Sequence, residues 1–408
     1  MDRDSFLANL ARLESNFAAL KPELEVTVRD PAVGVEGYVV VWSTLPAVGG
    51  PLGRCGKGGT RITPAVSLEE VGMLARIMSL KNAAAGLPLG GAKSGLRADP
   101  TAPGFERKYR RFVQMVAPLL IERGGIFGGF GFDIGGQPIH AEWACDELKT
   151  LRCFTGKSVD KGGTDYDREG IAGLGVAIAA VVAVKSKRGP SSLLPPAAIQ
   201  GIGAMGAGVF RYYREAGGSV MAISDPRIGG TVLLTKTLEE AVAPALVNLD
   251  PSAVSGILDQ AGAQRLPLGD ILFVETEMLF PCAVQDVITV HNQRDIRAAW
   301  VVEGANNPSS PAARTALWER GVCVIPDFIA NPGGIIAAFV EMSSHITPEE
   351  NSRTRANVTS AKALTREKIH HTVERMLKEA TALEVEPVIV GRYYALQAVL
   401  GETGSLLT

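Results

Sequence analysis

Ala197-Ala198-Ile199-Gln200-Gly201-Ile202-Gly203-Ala204-Met205-Gly206 decides the fold of this chain, because a short apolar run passes directly into a G-x-G-x-x-G turn and helical spacing follows through Val209 to Glu215. A strand feeding a glycine turn and then a helix opens a parallel β-α-β unit. Gly201 permits the sharp reversal, Gly203 lets a pyrophosphate approach the backbone, and Gly206 lets helix and strand pack closely. The helix N-terminus, carrying Ala204 and Met205, stabilises the anion. The next apolar run, Ser219-Val220-Met221-Ala222-Ile223-Ser224, delivers Asp225 at the distance at which an acid meets the adenosine ribose hydroxyls. A dinucleotide site is the reading, set against a purely structural glycine turn in another parallel-sheet protein. Asp225 repels a 2′-phosphate, whereas Arg227 can neutralise one, so NAD or NADP is expected with a slight preference for NAD.

Outward from this stretch, helix, strand, glycine turn and helix alternate from about 168 to 330, the pattern of a doubly wound parallel sheet. Residues 166–339 are therefore expected to form the dinucleotide-binding domain of a two-domain α/β protein. Towards the N-terminus, Phe6, Leu7, Leu10 and Leu13 are spaced as on a helix, and strand-like runs occupy 24–28 and 38–42. Ser67-Leu68-Glu69-Glu70 is a capping box that opens a helix with Val71, Leu74, Ile77 and Met78 on one face. Residues 1–165 then read as the other domain. Beyond Asn331-Pro332-Gly333-Gly334 the chain is helical again, with a polar loop or frayed helix from Glu349 to about Val358, and 340–408 is expected to pack back on 1–165.

Composition excludes several classes. The 408 residues are 46% hydrophobic and 21% charged, enough for a sizeable core, and a net charge of −2 offers no basic field for nucleic acid. Met1-Asp2-Arg3-Asp4 carries acids where an export signal would be basic, and the apolar stretch Leu174–Val184 falls well short of the roughly 20 residues that cross a bilayer. Five scattered cysteines without a C-x-x-C pair argue against a disulfide framework, so a cytoplasmic location and no membrane are expected. His370-His371 lacks any ligand spacing, and no metal site is expected.

A nicotinamide cofactor needs a substrate that exchanges hydride at carbon. Lys57, Lys81, Lys93 and Asp133 are the candidates for holding one. Lys93 lies in Leu87-Pro88-Leu89-Gly90-Gly91-Ala92-Lys93-Ser94-Gly95, which reads as a rigid turn in which partial burial lowers the ammonium pKa. Lys57 sits in Gly56-Lys57-Gly58-Gly59 and is otherwise a solvated loop lysine; Lys81 is otherwise a lysine favoured by a helix C-terminus. Asp133 is otherwise a turn cap before Gly135-Gly136. As a set they supply two cations for carboxylates, one lysine for a carbonyl and one acid for proton transfer.

These residues resemble the glutamate, leucine, phenylalanine and valine dehydrogenase family, most closely its glutamate dehydrogenases. Leu87 to Pro100 looks like the family's active-site signature, the spacing of Lys57, Lys81 and Lys93 matches, and Val302–Pro308 and Pro326–Gly334 look like its E-G-A-N-x-P and P-D-x-x-x-N-A-G-G elements. The resemblance implies reversible NAD(P)-dependent deamination of an L-amino acid, foremost glutamate, to a 2-oxo acid and ammonia. It implies that Lys81 binds the α-carboxylate, Lys93 activates the carbonyl or a water, Asp133 shuttles protons, and Asn306 and Asn331 contact the cofactor. Lys57, beside Gly58 and Gly59, would meet the side-chain carboxylate. A homo-oligomer, often a hexamer, is implied as well. The chain departs from the pattern at Ala338, where glutamate-specific members carry a serine, at Gly131, where alanine is usual, and at Ala172 and Pro332. Those departures leave open a dehydrogenase for another amino acid, or a non-catalytic regulatory subunit.

Overall fold

The computed structural model describes residues 1–344 and 351–402, which form two compact units. Unit 1 comprises Met1–Asp165, Ile335–Ala361 and Arg392 onward; unit 2 comprises Tyr166–Gly334 and Lys362–Gly391.

Unit 1 begins with α1 (Arg3–Ala19), β1 (Leu24–Asp30), β2 (Val35–Ser43), β3 (Gly56–Lys57) and β4 (Thr60–Thr63). It continues with α2 (Leu68–Ala84), β5 (Gly90–Arg97), α3 (Phe105–Val116), β6 (Phe130–Gly131), α4 (Pro138–Leu148) and β7 (Phe154–Thr155). The sheet runs β1-β2-β5-β3 with β4 also on β5; β1, β2 and β5 are antiparallel to one another in turn, and β3 and β4 lie parallel to β5. Alternation along β2 separates its two faces. Val39 and Val41 join the larger core with Phe112, Phe127 and Phe130, and Tyr38 and Val40 pack with Val66, Val71 and Ala75 under α2. Ser67 caps α2 by accepting from the Glu70 N–H at 3.2 Å, as the capping box predicts.

The segment read as a rigid turn at Lys93 is the interior of strand β5. Its glycines serve helix packing: a Cβ on Gly91 would lie 2.1 Å from the Ser79 nitrogen, and one on Gly95 would lie 2.6 Å from Val71 Cγ2. Both contacts are with α2. Because side chains alternate along a strand, Lys93 shares the face of these two glycines, and α2 can cover that face only where they leave room.

Unit 2 contains α5 (Ile171–Arg188), β8 (Ala197–Gln200), α6 (Ala204–Glu215), β9 (Val220–Asp225), β10 (Gly230–Leu233), α7 (Lys236–Val247) and α8 (Pro251–Gln260). Then come β11 (Met278–Pro281), β12 (Trp300–Val302), α9 (Pro311–Glu319), β13 (Cys323–Ile325) and α10 (Asp327–Ala330). Its sheet order is β10-β9-β8-β11-β12-β13, parallel except for β10. Counted within the unit, this is the order 3-2-1-4-5-6 of dinucleotide-binding sheets, whose switch point lies between β8 and β11.

The last helices are α11 (Gly333–Ser343), α12 (Asn351–Leu383) and α13 (Pro387–Val399). Not all of 340–408 joins unit 1, contrary to the expectation from sequence: Lys362–Gly391 belongs to unit 2. Ile369 and Thr365 pack at Gly175 of α5, and Gly391 packs against Ile329 and Met376. The stretch from Glu349 expected as a loop or frayed helix is helical from Asn351, its first two residues lying outside the described ones. Among the described residues, no helix is long and apolar enough to cross a membrane, and no three His, Cys, Asp or Glu side chains cluster as metal ligands.

Candidate active site and nucleotide site

In unit 1 the strand-turn-strand from β3 to β4 and the loop after β6 are zipped together by the backbone. Ile62 donates to the Ile134 carbonyl at 2.9 Å. Glycine makes the approach possible: a Cβ on Gly58 would lie 1.8 Å from the Ala92 carbonyl oxygen, one on Gly59 2.5 Å from that of Phe132, and one on Gly135 2.0 Å from that of Ile62. This close packing brings Asp133, on its loop, against Lys93, on β5.

The Lys93 ammonium and the Asp133 carboxylate form a direct ion pair. Burial lowers the Lys93 pKa despite the opposing charge of Asp133. Burial alone would raise the Asp133 carboxyl, but the charge and hydrogen bond of Lys93, with help from Arg61, hold it below its ordinary value. Asp133 also accepts from its neighbour, the Ile134 N–H, at 2.8 Å, and its carbonyl accepts from Gly136, so the alternative reading as a turn residue holds alongside the ion pair.

Lys57 is 1% exposed. Its ammonium donates to the Gly129 carbonyl at 2.7 Å and to that of Phe130, and burial pulls its pKa down to about 7. A Cβ on Gly131 would lie 3.7 Å from this ammonium, in ordinary contact, and 3.2 Å from Thr155 Oγ1, which would have to give slightly. Lys81 lies half-buried in the last turn of α2. Ala338 is buried on α11, one turn before Glu341.

Sequence reasoning passed over two groups here. Arg61 bridges Glu70 at 2.7 Å and Asp133 at 3.3 Å. Its place on the short strand before the capped helix was the only available signal. Glu341 accepts from Lys157 Nζ at 3.0 Å and from the N–H and hydroxyl of Thr164, each at 2.7 Å, a buried ion pair that fixes the 156–164 segment. A cavity of about 750 Å³ between α3 and α4, lined by Phe105, Arg107, Arg110 and Trp143 among others, contains none of the sequence-predicted residues.

In unit 2 the glycine turn follows β8. Gly201 has φ +85°, in the left-handed region, and a Cβ on it would lie 2.8 Å from Ala283 Cβ. A Cβ on Gly206 would lie 1.8 Å from the Gly201 oxygen, which is the close helix-to-strand packing expected of the third glycine. Around Gly203 the space is open, the nearest atom to its ideal Cβ being an Arg227 nitrogen at 3.9 Å. Asp225, at the end of β9, accepts from the Ile202 N–H at 3.1 Å and from Nε and one terminal nitrogen of Arg227 at 2.7 and 2.8 Å. Burial works to raise its pKa, but those bonds hold it below its ordinary value. Arg227 therefore neutralises the acid that was expected to repel a 2′-phosphate.

Asn331 donates to the Gly304 carbonyl at 2.9 Å and to Asn306 Oδ1 at 3.1 Å. Its own Oδ1, and Gln200 Oε1 at the end of β8, are buried with no hydrogen-bond partner among the described residues. Buried amide oxygens of this kind suit a ligand that brings N–H donors, such as a carboxamide. Behind the turn, Glu303 is fully buried; Arg314 donates to it through Nε and one terminal nitrogen at 2.9 and 2.6 Å, and Asp327 donates its N–H to it at 3.1 Å. The open glycine turn, the helix N-terminus and the unsatisfied amides together fit a dinucleotide.

The Glutamate/Leucine/Phenylalanine/Valine dehydrogenase family model matches residues 162–400, and its N-terminal dimerisation-domain model matches 22–150. The chain belongs to this family. As a Glu/Leu/Phe/Val dehydrogenase it is an NAD(P)-dependent amino-acid dehydrogenase. An NADP(+)-dependent glutamate dehydrogenase of Pyrobaculum calidifontis is 34% identical over 313 residues, 73% of each chain. An NADP-specific glutamate dehydrogenase of Saccharolobus shibatae is 32% identical over 71% of this chain and 68% of the relative. Among solved structures, the hetero-hexameric glutamate dehydrogenase of Thermus thermophilus in its leucine-bound form superposes with a TM-score of 0.73 at 25% identity, over 98% of this chain and 95% of that one. The L-tryptophan dehydrogenase of Nostoc punctiforme shares the fold, with a TM-score of 0.67 at 19% identity over 95% and 99%.

Proposed function

We propose that this dehydrogenase acts on L-glutamate, forming 2-oxoglutarate and ammonia reversibly, and that it accepts NADP as well as NAD. The observation that carries the reading is the buried Lys93–Asp133 ion pair, with a second buried ammonium, Lys57, next to the loop that bears the acid. When bound, the nicotinamide supplies hydride exchange with the substrate α-carbon. Lys93 holds the oxygen that develops at that carbon and directs water onto the imine; Asp133 takes the proton from the amino group and returns it. Lys81 meets the α-carboxylate and Lys57 the side-chain carboxylate. Gly201, Gly203 and Gly206 seat the pyrophosphate, and Asn306 and Asn331 meet the carboxamide end.

Three further assignments belong to this reading. The Asp225–Arg227 pair supports use of NADP beside NAD, since a bidentate guanidinium cancels the acid's charge. The names of the relatives point the same way. The matched dimerisation domain supports a homo-oligomer built through unit 1, and the scattered cysteines support a cytoplasmic location. A second reading, a dehydrogenase for another amino acid, is favoured by Gly131 and by the absence of a hydroxyl at Ala338.

A panel of L-amino acids assayed with NAD and with NADP tests the substrate and the cofactor together. Glutamate should give the highest kcat/KM; a higher value for an apolar amino acid would establish the second reading. Lys93→Ala and Asp133→Asn should each lower kcat by about 10²- to 10⁴-fold. Turnover near the parent value in either variant would sink the assignment.

A further inference from the structure

Asp133 is approached by two cations from two strands. Lys93 comes from β5, Arg61 comes from β4, and among the described residues the other donor on its carboxylate is the Ile134 N–H. Arg61 is in turn held by Glu70, in the first turn of α2. The Arg61 Nε is buried with no acceptor among the described residues, and the side chain bonds through its two terminal nitrogens, one to each carboxylate. With 17% of its side chain exposed, it is poorly screened by water.

We infer that Arg61, anchored by Glu70, is a positioning residue that fixes the Asp133 carboxylate and sets how strongly Asp133 grips the Lys93 ammonium. The inference rests on the proposed roles of Lys93 and Asp133. Its logic is a competition. An unshared Asp133 would hold Lys93 as a permanent ammonium, which cannot take a proton during turnover. A second cation on the same carboxylate weakens that grip, and its repulsion favours the neutral amine. Glu70 restrains the effect by cancelling part of the Arg61 charge. The charged groups acting on Lys93 have these signs: Asp133 and Glu70 favour its charged form, and Arg61 opposes it.

The two flanking residues should therefore move Lys93 in opposite directions. Arg61→Met should shift the Lys93 titration up, and Glu70→Gln should shift it down, each by about one unit, the lower end of the range for a neighbouring charge. Competitive labelling with acetic anhydride, with Lys93 followed by peptide mass spectrometry across pH 6–10, reads this on the whole protein without substrate or cofactor. At pH 8, labelling should slow about tenfold in Arg61→Met and quicken in Glu70→Gln, and Arg61→Lys should return the curve towards the parent.

In each variant the ionisation seen in kcat/KM should move in the same direction as that variant's Lys93 labelling curve, up in Arg61→Met and down in Glu70→Gln. Equal curves in all proteins, or shifts of the same sign in Arg61→Met and Glu70→Gln, would overturn the inference. Rates that fall with unmoved pH profiles would reduce Arg61 to a structural part. The labelling stands whatever amino acid is turned over, so loss of the glutamate reading alone would leave opposite shifts intact.

Discussion

Lys57 carries a charge that its surroundings disfavour, and replacing it should reveal that cost as a pH-dependent gain in stability. Among the described residues the fully buried ammonium bonds to two carbonyls, and its pKa falls from 10.5 to about 7. Between those two values the unfolded chain holds a proton that the folded chain has released. Stability contributed by this group is therefore complete above pH 10.5 and is lost as pH falls through 7. At about 1.4 kcal/mol per unit, the charge costs about 5 kcal/mol at pH 6 but only about 2 kcal/mol at pH 9, where the folded protein keeps the neutral amine. Lys57→Met removes the titration altogether. Altered packing shifts both conditions equally, so the difference in stability between variant and parent should be about 3 kcal/mol more favourable to the variant at pH 6 than at pH 9. Urea unfolding of both proteins at the two pH values and one protein concentration measures it. A difference that agrees between pH 6 and pH 9 within about 0.5 kcal/mol would refute the reasoning. If Lys57 meets the side-chain carboxylate as proposed, KM for glutamate in the parent should rise above pH 7 as the ammonium is lost.

Three other substitutions probe neighbouring parts of the two sites. Ala338→Ser restores a hydroxyl at the position where the resemblance implies one; a hydrogen bond to a carboxylate is worth about 1.5–3 kcal/mol, so KM for glutamate should fall about tenfold or more, and an unchanged KM would remove this residue from the pocket. Arg227→Ala leaves Asp225 unopposed, so kcat/KM with NADP should fall by at least about tenfold while that with NAD holds, and equal losses would show that the guanidinium does not meet a 2′-phosphate. Gly206→Ala places a Cβ 1.8 Å from the Gly201 oxygen, which forces α6 away from the turn. NADPH binding, followed by nucleotide fluorescence, should be lost, and retention of parent affinity would contradict the close packing.

What the sequence made legible was what depends on local order. A strand entering a glycine turn reads correctly because the strand, turn and helix lie within twenty residues of one another, and the capping box at Ser67 is legible for the same reason. Lys93 stood out because an ammonium among small apolar residues is costly unless something pairs with it, and Asp133 does. The strand that holds Lys93 was not legible. Locally, glycine signals a turn, and only the presence of α2 against the strand turns Gly91 and Gly95 into gaps for a helix. Arg61 was hidden for a related reason: on a short strand, alternation yields a polar residue at every second position, and nothing local separates one that faces water from one that meets a carboxylate seventy residues away. The division of the C-terminal helices was equally out of reach, because α12 is continuous at the boundary between units and only the distant partners of Ile369 and Thr365 assign its later turns to unit 2. Sequence therefore locates the groups that do the chemistry, and the groups that tune them are found through contacts between elements far apart in the chain. That is why the lysine and aspartate could be named from the sequence, while the arginine that adjusts their grip on one another could be named only from the fold.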